Sequence, residues 1–195
     1  MLKVGLTGGI GSGKTTVANL FKQMNIPIYF ADIKAKELMH SNYYIKNNLI
    51  NFFGEESFLD NGNLNTKYIS NIVFKNKEKL NLLNNIVHPY LREDLEHWFS
   101  GNKNYSYSIL EAAVLIESNL FESMDKIIVI LSKENIRKDR VMLRDSVSEE
   151  DFYNRLKNQI EDADRLKYAD FVIYNNETDS LIEQVYKIND KLING

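Results

Sequence analysis

Short apolar runs alternate along the chain with longer segments that carry apolar residues at helical spacing. The apolar runs are suited to buried strands and cover residues 2–7, 26–30, 105–111, 126–131 and 170–174. The helical pattern covers 15–21, 33–53, 65–99, a stretch that begins at Glu134, and 180–192. Strands and helices that alternate in this way are typical of an open α/β sheet.

The interval between the second and third apolar runs is too long for a simple crossover. It spans roughly seventy residues, whereas the loops of α/β units usually have only a few. Its two helical segments flank a polar turn at 54–62, so we predict a helical insertion that could bind a second substrate. The second segment contains His88-Pro89, and a proline inside a helix predicts a break or kink at the preceding residue. We therefore favour a kink residue or a ligand contact for His88 over a catalytic base.

A glycine-rich stretch, Gly8-Gly9-Ile10-Gly11-Ser12-Gly13-Lys14-Thr15, separates the first strand from the first helix. Its spacing, G-x-x-x-x-G-K-[ST], is that of a loop whose backbone N–H groups surround the phosphates of a nucleotide. Lys14 would reach the β and γ oxygens, and the Thr15 hydroxyl would bind Mg²⁺. The spacing could be a chance match in a glycine-rich turn, but a strand before it and a helix after it favour nucleotide binding.

Composition narrows the class of protein further. The 195 residues are 44% apolar with a net charge of −3, which predicts a globular protein with one sizeable core. There is no cysteine, so disulfides and cysteine-based metal sites are excluded. The mild acidity argues against a general nucleic-acid binder, and no apolar run is long enough for a membrane helix. With no basic and apolar leader before the first strand, we expect a cytoplasmic protein.

Two predicted strands end at a carboxylate. Asp32 follows the second strand at the edge of the sheet where ligands bind, but it could equally cap a helix that begins at Ile33. Glu111 closes the third strand, where phosphate-loop enzymes commonly place an acidic residue that orders the water shell of Mg²⁺. A surface charge at the end of a strand is the alternative for Glu111.

The helix from Glu134 carries basic residues against the acidic trend of the chain. Arg137, Arg140 and Arg144 recur at helical spacing. They could form a solvated face paired with nearby acids, but beside a phosphate loop we favour arginines that neutralise a transferring phosphoryl group. Ser148 and Asp151 resemble a capping box for a following helix that runs through Arg155 to Ile160. Two such helices would make a lid that excludes water.

Several further motifs occur in a characteristic order and spacing. They are Leu6-Thr7-Gly8-Gly9-Ile10-Gly11-Ser12-Gly13-Lys14, Ala31-Asp32, His88-Pro89, Leu115-Ile116-Glu117, Arg140 with Arg144-Asp145, Arg155 with Gln159, and Ala169-Asp170-Phe171-Val172-Ile173 with Asn175. In these motifs the chain resembles the dephospho-CoA kinase family over essentially its whole length.

The resemblance implies ATP-dependent phosphorylation of the ribose 3′-hydroxyl of dephospho-CoA, the last step of coenzyme A synthesis. The implied fold is α/β, a P-loop kinase with a five-stranded parallel sheet, a helical substrate-binding insertion and a helical lid. We expect one domain over 1–195, with its core at about 1–32, 105–135 and 168–195, a CoA-binding insertion at about 33–104 and a lid at about 136–167. We expect a monomer or a weak homo-oligomer that binds ATP and dephospho-CoA, and neither nucleic acid nor membrane.

The resemblance also implies roles for individual residues. Asp32 matches the family's proposed general base, Lys14 would hold the β and γ phosphates, and Arg140 would contact the transferring phosphate. The implied ATP site comprises Gly9, Gly11, Ser12, Gly13, Lys14, Thr15, Thr16, Arg144 and Asn175. The implied substrate site comprises Asp32, His88, Pro89, Glu117 and Arg155. The expected ligands of Mg²⁺, which accompanies ATP, are Thr15 and Glu111.

The chain departs from the family pattern at two places. The family usually has Asp-Ala-Asp where this chain has Phe30-Ala31-Asp32, and Asp-x-Pro-Leu-Leu where it has Glu111-Ala112-Ala113-Val114-Leu115. The alternative is another small-molecule P-loop kinase, acting on a nucleoside monophosphate or a sugar acid. A GTPase-type switch is disfavoured because no Asp-x-x-Gly occurs and Asn76-Lys77-Glu78-Lys79 fails at its fourth position.

Overall fold

The computed structural model describes residues 1–73 and 76–194 of the chain. Five strands form its sheet: β1 Leu2–Gly8, β2 Ile28–Phe30, β3 Tyr107–Glu111, β4 Lys126–Leu131 and β5 Phe171–Tyr174. They are all parallel and lie in the order β2-β3-β1-β4-β5. The predicted α/β class and five-stranded parallel sheet are confirmed.

Three strands begin later than the apolar pattern predicts. β2 starts after Pro27, whose carbonyl accepts a hydrogen bond from the Ile109 amide but which has no N–H to donate to the sheet. Tyr105 belongs to the turn before β3, because its amide donates to the Asn102 carbonyl at 3.1 Å. β5 starts at Phe171, one residue after the predicted Asp170.

β1 lies in the middle of the sheet and determines where ligands bind. It pairs with β3 on one side, where Leu6 is opposite Glu111, and with β4 on the other, where Gly8 is opposite Ile130. The chain therefore leaves β1 toward one half of the sheet and later returns to build the other half. Ligands bind at such a switch point, beyond the carboxyl ends of the strands.

The structure divides into two compact units, one of Met1–Phe30 with Phe99–Gly195 and the other of Ala31–Trp98. The sheet unit holds the helices α1 Lys14–Gln23, α6 Glu134–Asp145, α7 Glu149–Leu156, α8 Asp162–Leu166 and α9 Leu181–Asn194. Its core joins α1 and α9 to the inner strands, with Phe21, Ile128 and Ile188 among the buried residues. The predicted capping box at Ser148 and Asp151 is confirmed. The helix it starts ends at Leu156, so its predicted continuation to Ile160 is wrong.

The Ala31–Trp98 unit is helical and has a separate apolar cluster. Its helices are α2 Ala31–Ser41, α3 Tyr43–Phe53, α4 Thr66–Val73 and α5 Lys77–Gly101, the last of which extends beyond the unit. Ile45, Leu49 and Ile69 are buried in its core. The expected insertion was 33–104, whereas this unit begins at Ala31 and ends at Trp98. Of the predicted helix at 65–99, positions 74 and 75 lie outside the described residues.

Two predictions for the helices of this unit need correction. The expected continuous helix at 33–53 is interrupted at Asn42, whose side-chain oxygen accepts from the amides of Tyr44 and Ile45 and starts α3. Of the break or kink predicted at the residue before Pro89, the break does not occur, since α5 runs from Lys77 to Gly101. A proline in a helix costs about 3 kcal/mol, and the buried residues of α5 on either side of Pro89, among them Val87 and Leu91, offset this cost.

Among the described residues, we find no helix that combines the length and the apolar character needed to cross a membrane.

A partly buried hydrogen bond joins the sheet to the last helix and can be tested directly. The fully buried Tyr107 on β3 donates its hydroxyl to Asn189 Oδ1 on α9 at 2.5 Å. Tyr107→Phe should lower the free energy of unfolding by about 1 kcal/mol, because Asn189 loses its partner. Tyr186→Phe is the control, since Tyr186 lies on the same helix and is exposed. Urea unfolding of both variants measures the difference, and equal stabilities would contradict the prediction.

Candidate active site

The phosphate loop connects the end of β1 at Gly8 to the start of α1 at Lys14. Gly11 and Gly13 adopt left-handed φ angles of +76° and +94°, which residues with a side chain rarely reach. The Lys14 ammonium donates to the Gly8 carbonyl at 3.0 Å and folds back over the loop. The loop therefore places a cation and the amino end of a ten-residue helix at one point, an arrangement that attracts phosphate.

Asn175 holds the second half of the loop from outside. It follows β5, is buried, and donates its side-chain amide to the Ser12 carbonyl at 2.7 Å. A Cβ on Gly13 would collide with this amide nitrogen. Gly13 is therefore required twice, by its left-handed backbone and by the approach of Asn175. We predicted Asn175 as an ATP contact, and the structure places it against the loop backbone.

Arg137 packs on the other side of the loop, at Gly9. Its side chain is 7% exposed, and its guanidinium occupies the space that a Cβ on Gly9 would fill. The charge faces the Asp162 carboxylate at 3.4 Å, and the buried Nε has no hydrogen-bond partner among the described residues. A buried guanidinium that lacks some of its hydrogen bonds lowers the stability of the fold. Arg137 is therefore better explained by the specific arrangement that it gives to its neighbours than by a gain in stability.

Gln159 is a site residue whose position we did not predict. Its side-chain oxygen accepts from the Ile10 amide at 2.8 Å, and its side-chain nitrogen donates to the Ala113 carbonyl at 3.4 Å. Gln159 lies between α7 and α8, so the predicted lid segment contacts the phosphate loop directly. The only signal in the sequence was its place in a family motif with Arg155.

Glu117 and Arg165 hold the segment that carries Gln159. Glu117 accepts from the Ile160 amide at 2.9 Å, and the 1% exposed Arg165 donates to the Ile160 carbonyl at 3.0 Å. Arg165 also pairs with Asp162. Glu117 was expected to bind substrate, and here the contacts of its carboxylate are with this segment. A local sequence pattern could not reveal this role of Glu117, because its partners Ile160 and Arg165 are 43 and 48 positions away along the chain.

The remaining predicted arginines face Asn175 and Asp145. Arg140 is half-buried and donates to the Asn175 carbonyl at 3.2 Å. Arg144 and Arg155 both pair with Asp145, at 2.7 Å and 2.6 Å. The hydrogen bond from Arg144, followed by that from Arg155, lowers the pKa of Asp145 despite its partial burial. The basic face of α6 is thus already paired with acids, while Arg140 is held next to a residue that contacts the loop.

The predicted metal ligands have the chemistry that Mg²⁺ prefers. Thr15 and Thr16 are exposed in the first turn of α1, and Glu111 is 4% exposed at the carboxyl end of β3. A hydroxyl and a carboxylate are hard oxygen donors, and Mg²⁺ usually combines one or two of these with substrate phosphates. Within residues 1–73 and 76–194, no group of three or more His, Cys, Asp or Glu could hold a metal by itself. The residues fit a metal carried by a nucleotide.

Three predicted substrate residues lie in the helical unit. Asp32 is exposed in the first turn of α2, and since α2 begins at Ala31, the alternative that Asp32 caps a helix starting at Ile33 is wrong. His88 and Pro89 lie next to each other on α5, the first half-buried and the second exposed. Burial, with the nearby Arg92, lowers the pKa of His88 and favours its neutral form at neutral pH.

A parallel sheet with a glycine-lysine loop at its switch point, and with arginine-rich helices beside that loop, defines a P-loop kinase. A family model described as dephospho-CoA kinase matches residues 2–180. The chain belongs to the dephospho-CoA kinase family.

Named relatives agree with this assignment. The dephospho-CoA kinases of Bacteroides fragilis and Aquifex aeolicus are 32% and 34% identical over 187 residues, which is 96% of this chain and 91% and 93% of theirs. The solved dephospho-CoA kinase of Campylobacter jejuni is 25% identical with a TM-score of 0.72, covering 99% of this chain and 98% of that one. A crystal structure from Thermus thermophilus has a TM-score of 0.85 at 26% identity, covering 100% and 98%.

The double requirement at Gly13 can be separated with a matched glycine. Gly62 has a similar φ of +79°, but a Cβ there would meet nothing within 4 Å. Gly62→Ala should cost about 1 kcal/mol of unfolding free energy from backbone strain. Gly13→Ala should cost at least about 1 kcal/mol more, because it also displaces the buried amide of Asn175. Urea unfolding compares the two, and equal losses would mean that the Asn175 contact is dispensable.

Proposed function

We propose that this chain transfers the γ-phosphoryl group of ATP to the ribose 3′-hydroxyl of dephospho-CoA, the last step of coenzyme A synthesis. The observation that carries the proposal is a complete phosphate loop, with its lysine and outside supports, in a chain that belongs to the dephospho-CoA kinase family. Relatives that carry this name in three bacteria cover almost the whole chain.

The donor half of the reaction belongs to the phosphate loop. Gly9, Gly11, Ser12, Gly13 and the first residues of α1 surround the β and γ phosphates, and Lys14 exchanges its carbonyl contacts for phosphate oxygens. Phosphoryl transfer has a loose transition state, so positioning and charge neutralisation contribute most of the rate. Arg140 neutralises the transferring group, and Arg144 and Asn175 lie toward the nucleoside end of ATP.

The cofactor is Mg²⁺, which would be held by the Thr15 hydroxyl and the Glu111 carboxylate together with the nucleotide. When bound, it neutralises charge that develops on the phosphate oxygens. The burial of Glu111 at the end of β3 supports this assignment, because a buried carboxylate is stabilised by a cation.

The acceptor half is assigned to Asp32, His88, Pro89, Glu117 and Arg155. Asp32 orients the 3′-hydroxyl for in-line attack and accepts its proton. Its exposure in the first turn of α2 supports this role. Neutral His88 can exchange hydrogen bonds with a polar ligand without carrying charge, and Pro89 offers an exposed apolar surface beside it. Glu117 acts by holding the lid segment, and Arg155 by its bridge to Asp145.

The segment 136–167 acts as a lid, and the helical insertion at about 33–104 binds the acceptor. The contacts of Gln159 and Arg137 with the phosphate loop support the first assignment. We further propose a cytoplasmic protein that works as a monomer or weak homo-oligomer and binds neither nucleic acid nor membrane.

The acceptor is tested by a screen with purified protein and Mg-ATP. Dephospho-CoA should give ADP and a 3′-phosphorylated product, whereas AMP, CMP and gluconate should give no more ADP than a blank. Omission of Mg²⁺ should abolish turnover, because the nucleotide phosphates then lack their counter-ion. ADP formation with one of the other acceptors, and none with dephospho-CoA, would establish a different small-molecule kinase.

Asp32→Asn tests the proposed base. It should lower kcat by at least about a hundredfold with little change in the affinity for ATP, because it removes a proton acceptor and leaves the phosphate loop intact. Asp60→Asn is the control, since Asp60 is an exposed carboxylate in a turn of the same helical unit. Steady-state kinetics with dephospho-CoA give both constants. An unchanged kcat would limit Asp32 to favourable charge at the amino end of α2.

A further inference from the structure

Two side-chain amides from distant parts of the chain hold the backbone of the phosphate loop. Gln159 accepts from the Ile10 amide before Gly11, and Asn175 donates to the Ser12 carbonyl after it. The left-handed Gly11 lies between these two contacts. The first contact occupies the Ile10 N–H, and the second fixes the direction of the peptide group between Ser12 and Gly13, so the pair restricts which amides the loop presents.

The orientation of the Gln159 amide is fixed by its second hydrogen bond. Its oxygen accepts from Ile10, and its nitrogen donates to the carbonyl of Ala113, two residues beyond the end of β3. An amide offers both an acceptor and a donor, whereas a carboxylate has no N–H and an aliphatic chain has neither group. Gln159 therefore ties the loop after β1 to the loop after the neighbouring strand β3.

The segment behind Gln159 is rigidly supported. Both peptide groups of Ile160 are engaged, the amide by Glu117 and the carbonyl by Arg165. Asp162 then bridges Arg165 to Arg137, the residue that packs on Gly9. The segment therefore contacts the phosphate loop directly at Ile10 through Gln159, and its Asp162 pairs with Arg137 of α6, which packs on Gly9.

We propose that Gln159 is a positioning residue for phosphate binding. It holds the Gly9–Gly11 half of the loop so that the amides that follow face the phosphates of the nucleotide, and it couples that half to the end of β3. This inference rests on the proposed function only in that the loop binds a nucleotide. It does not depend on the identity of the acceptor.

The experiment compares ADP with adenosine, two ligands that differ in the phosphates. Gln159→Ala should weaken ADP binding by about tenfold, because the loss of a partly buried hydrogen-bond partner leaves the Ile10 amide unpaired. Adenosine binding should stay within a factor of about two, since no phosphate contact is involved. Gln159→Glu keeps the acceptor oxygen but adds a negative charge beside the phosphates, and should weaken ADP binding more than Gln159→Ala does.

Asn158→Ala is the matched control. Asn158 is the neighbour of Gln159 and is equally half-buried, but its side-chain amide donates to the Asn154 carbonyl within its own segment. Isothermal titration with ADP, competition with adenosine and the thermal unfolding midpoint are measured for all three variants. If Gln159→Ala does not fold, Gln159→Met replaces it in the comparison, because it keeps the length of the side chain and removes both hydrogen bonds.

Unchanged ADP binding in both Gln159 variants would overturn the proposal, as would equal losses for ADP and adenosine with a lowered unfolding midpoint. A selective loss for ADP supports it. If the Gln159 variants show this selective loss and the wild-type protein still fails to phosphorylate dephospho-CoA, the proposed acceptor is wrong while the role of Gln159 stands.

Discussion

A phosphate loop must present bare backbone to an anion, and the rest of the sheet unit is arranged to make that possible. Glycines bring the peptide groups close to the phosphates, but they supply no side chains to pack. The loop is therefore fixed by groups from other elements: Asn175 after β5, Arg137 on α6 and Gln159 before α8. Two of its glycines are needed as much for these partners as for the ligand, since a Cβ on Gly9 or Gly13 would occupy their space.

Charge in this region is balanced locally. Asp162 forms ion pairs with the buried guanidiniums of Arg137 and Arg165, and Asp145 forms ion pairs with the more exposed Arg144 and Arg155. Buried ion pairs contribute little net stability, but the loss of one partner leaves an uncompensated charge and is costly. The network thus favours one arrangement of the segment that joins α7 to α8. A phosphate can compete for the exposed pair at Asp145 more readily than for the buried pair at Asp162.

Asn175 connects Arg140 to the phosphate loop through two hydrogen bonds. The Arg140 guanidinium donates to the Asn175 carbonyl, while the Asn175 side chain donates to Ser12 of the loop. A basic group proposed for the transferring phosphate is in this way connected to the loop that holds the phosphate donor.

The capping box at Ser148 and Asp151 starts α7, which carries Arg155 and leads to Gln159. Local helix chemistry therefore contributes to the position of a residue that contacts the loop.

The sequence by itself determined the strands, the phosphate loop, the capping box and the family. These are local features: β-branched runs, glycine spacing and a Ser-x-x-Asp pattern act within a few residues of one another. Tertiary structure decided which helices continue and which residues meet. Pro89 remains inside α5, which buries Val87 and Leu91 on either side of it. Gln159 and Ile10 are 149 positions apart, so only the folded sheet with its connecting helices brings an amide side chain to the amide of the loop.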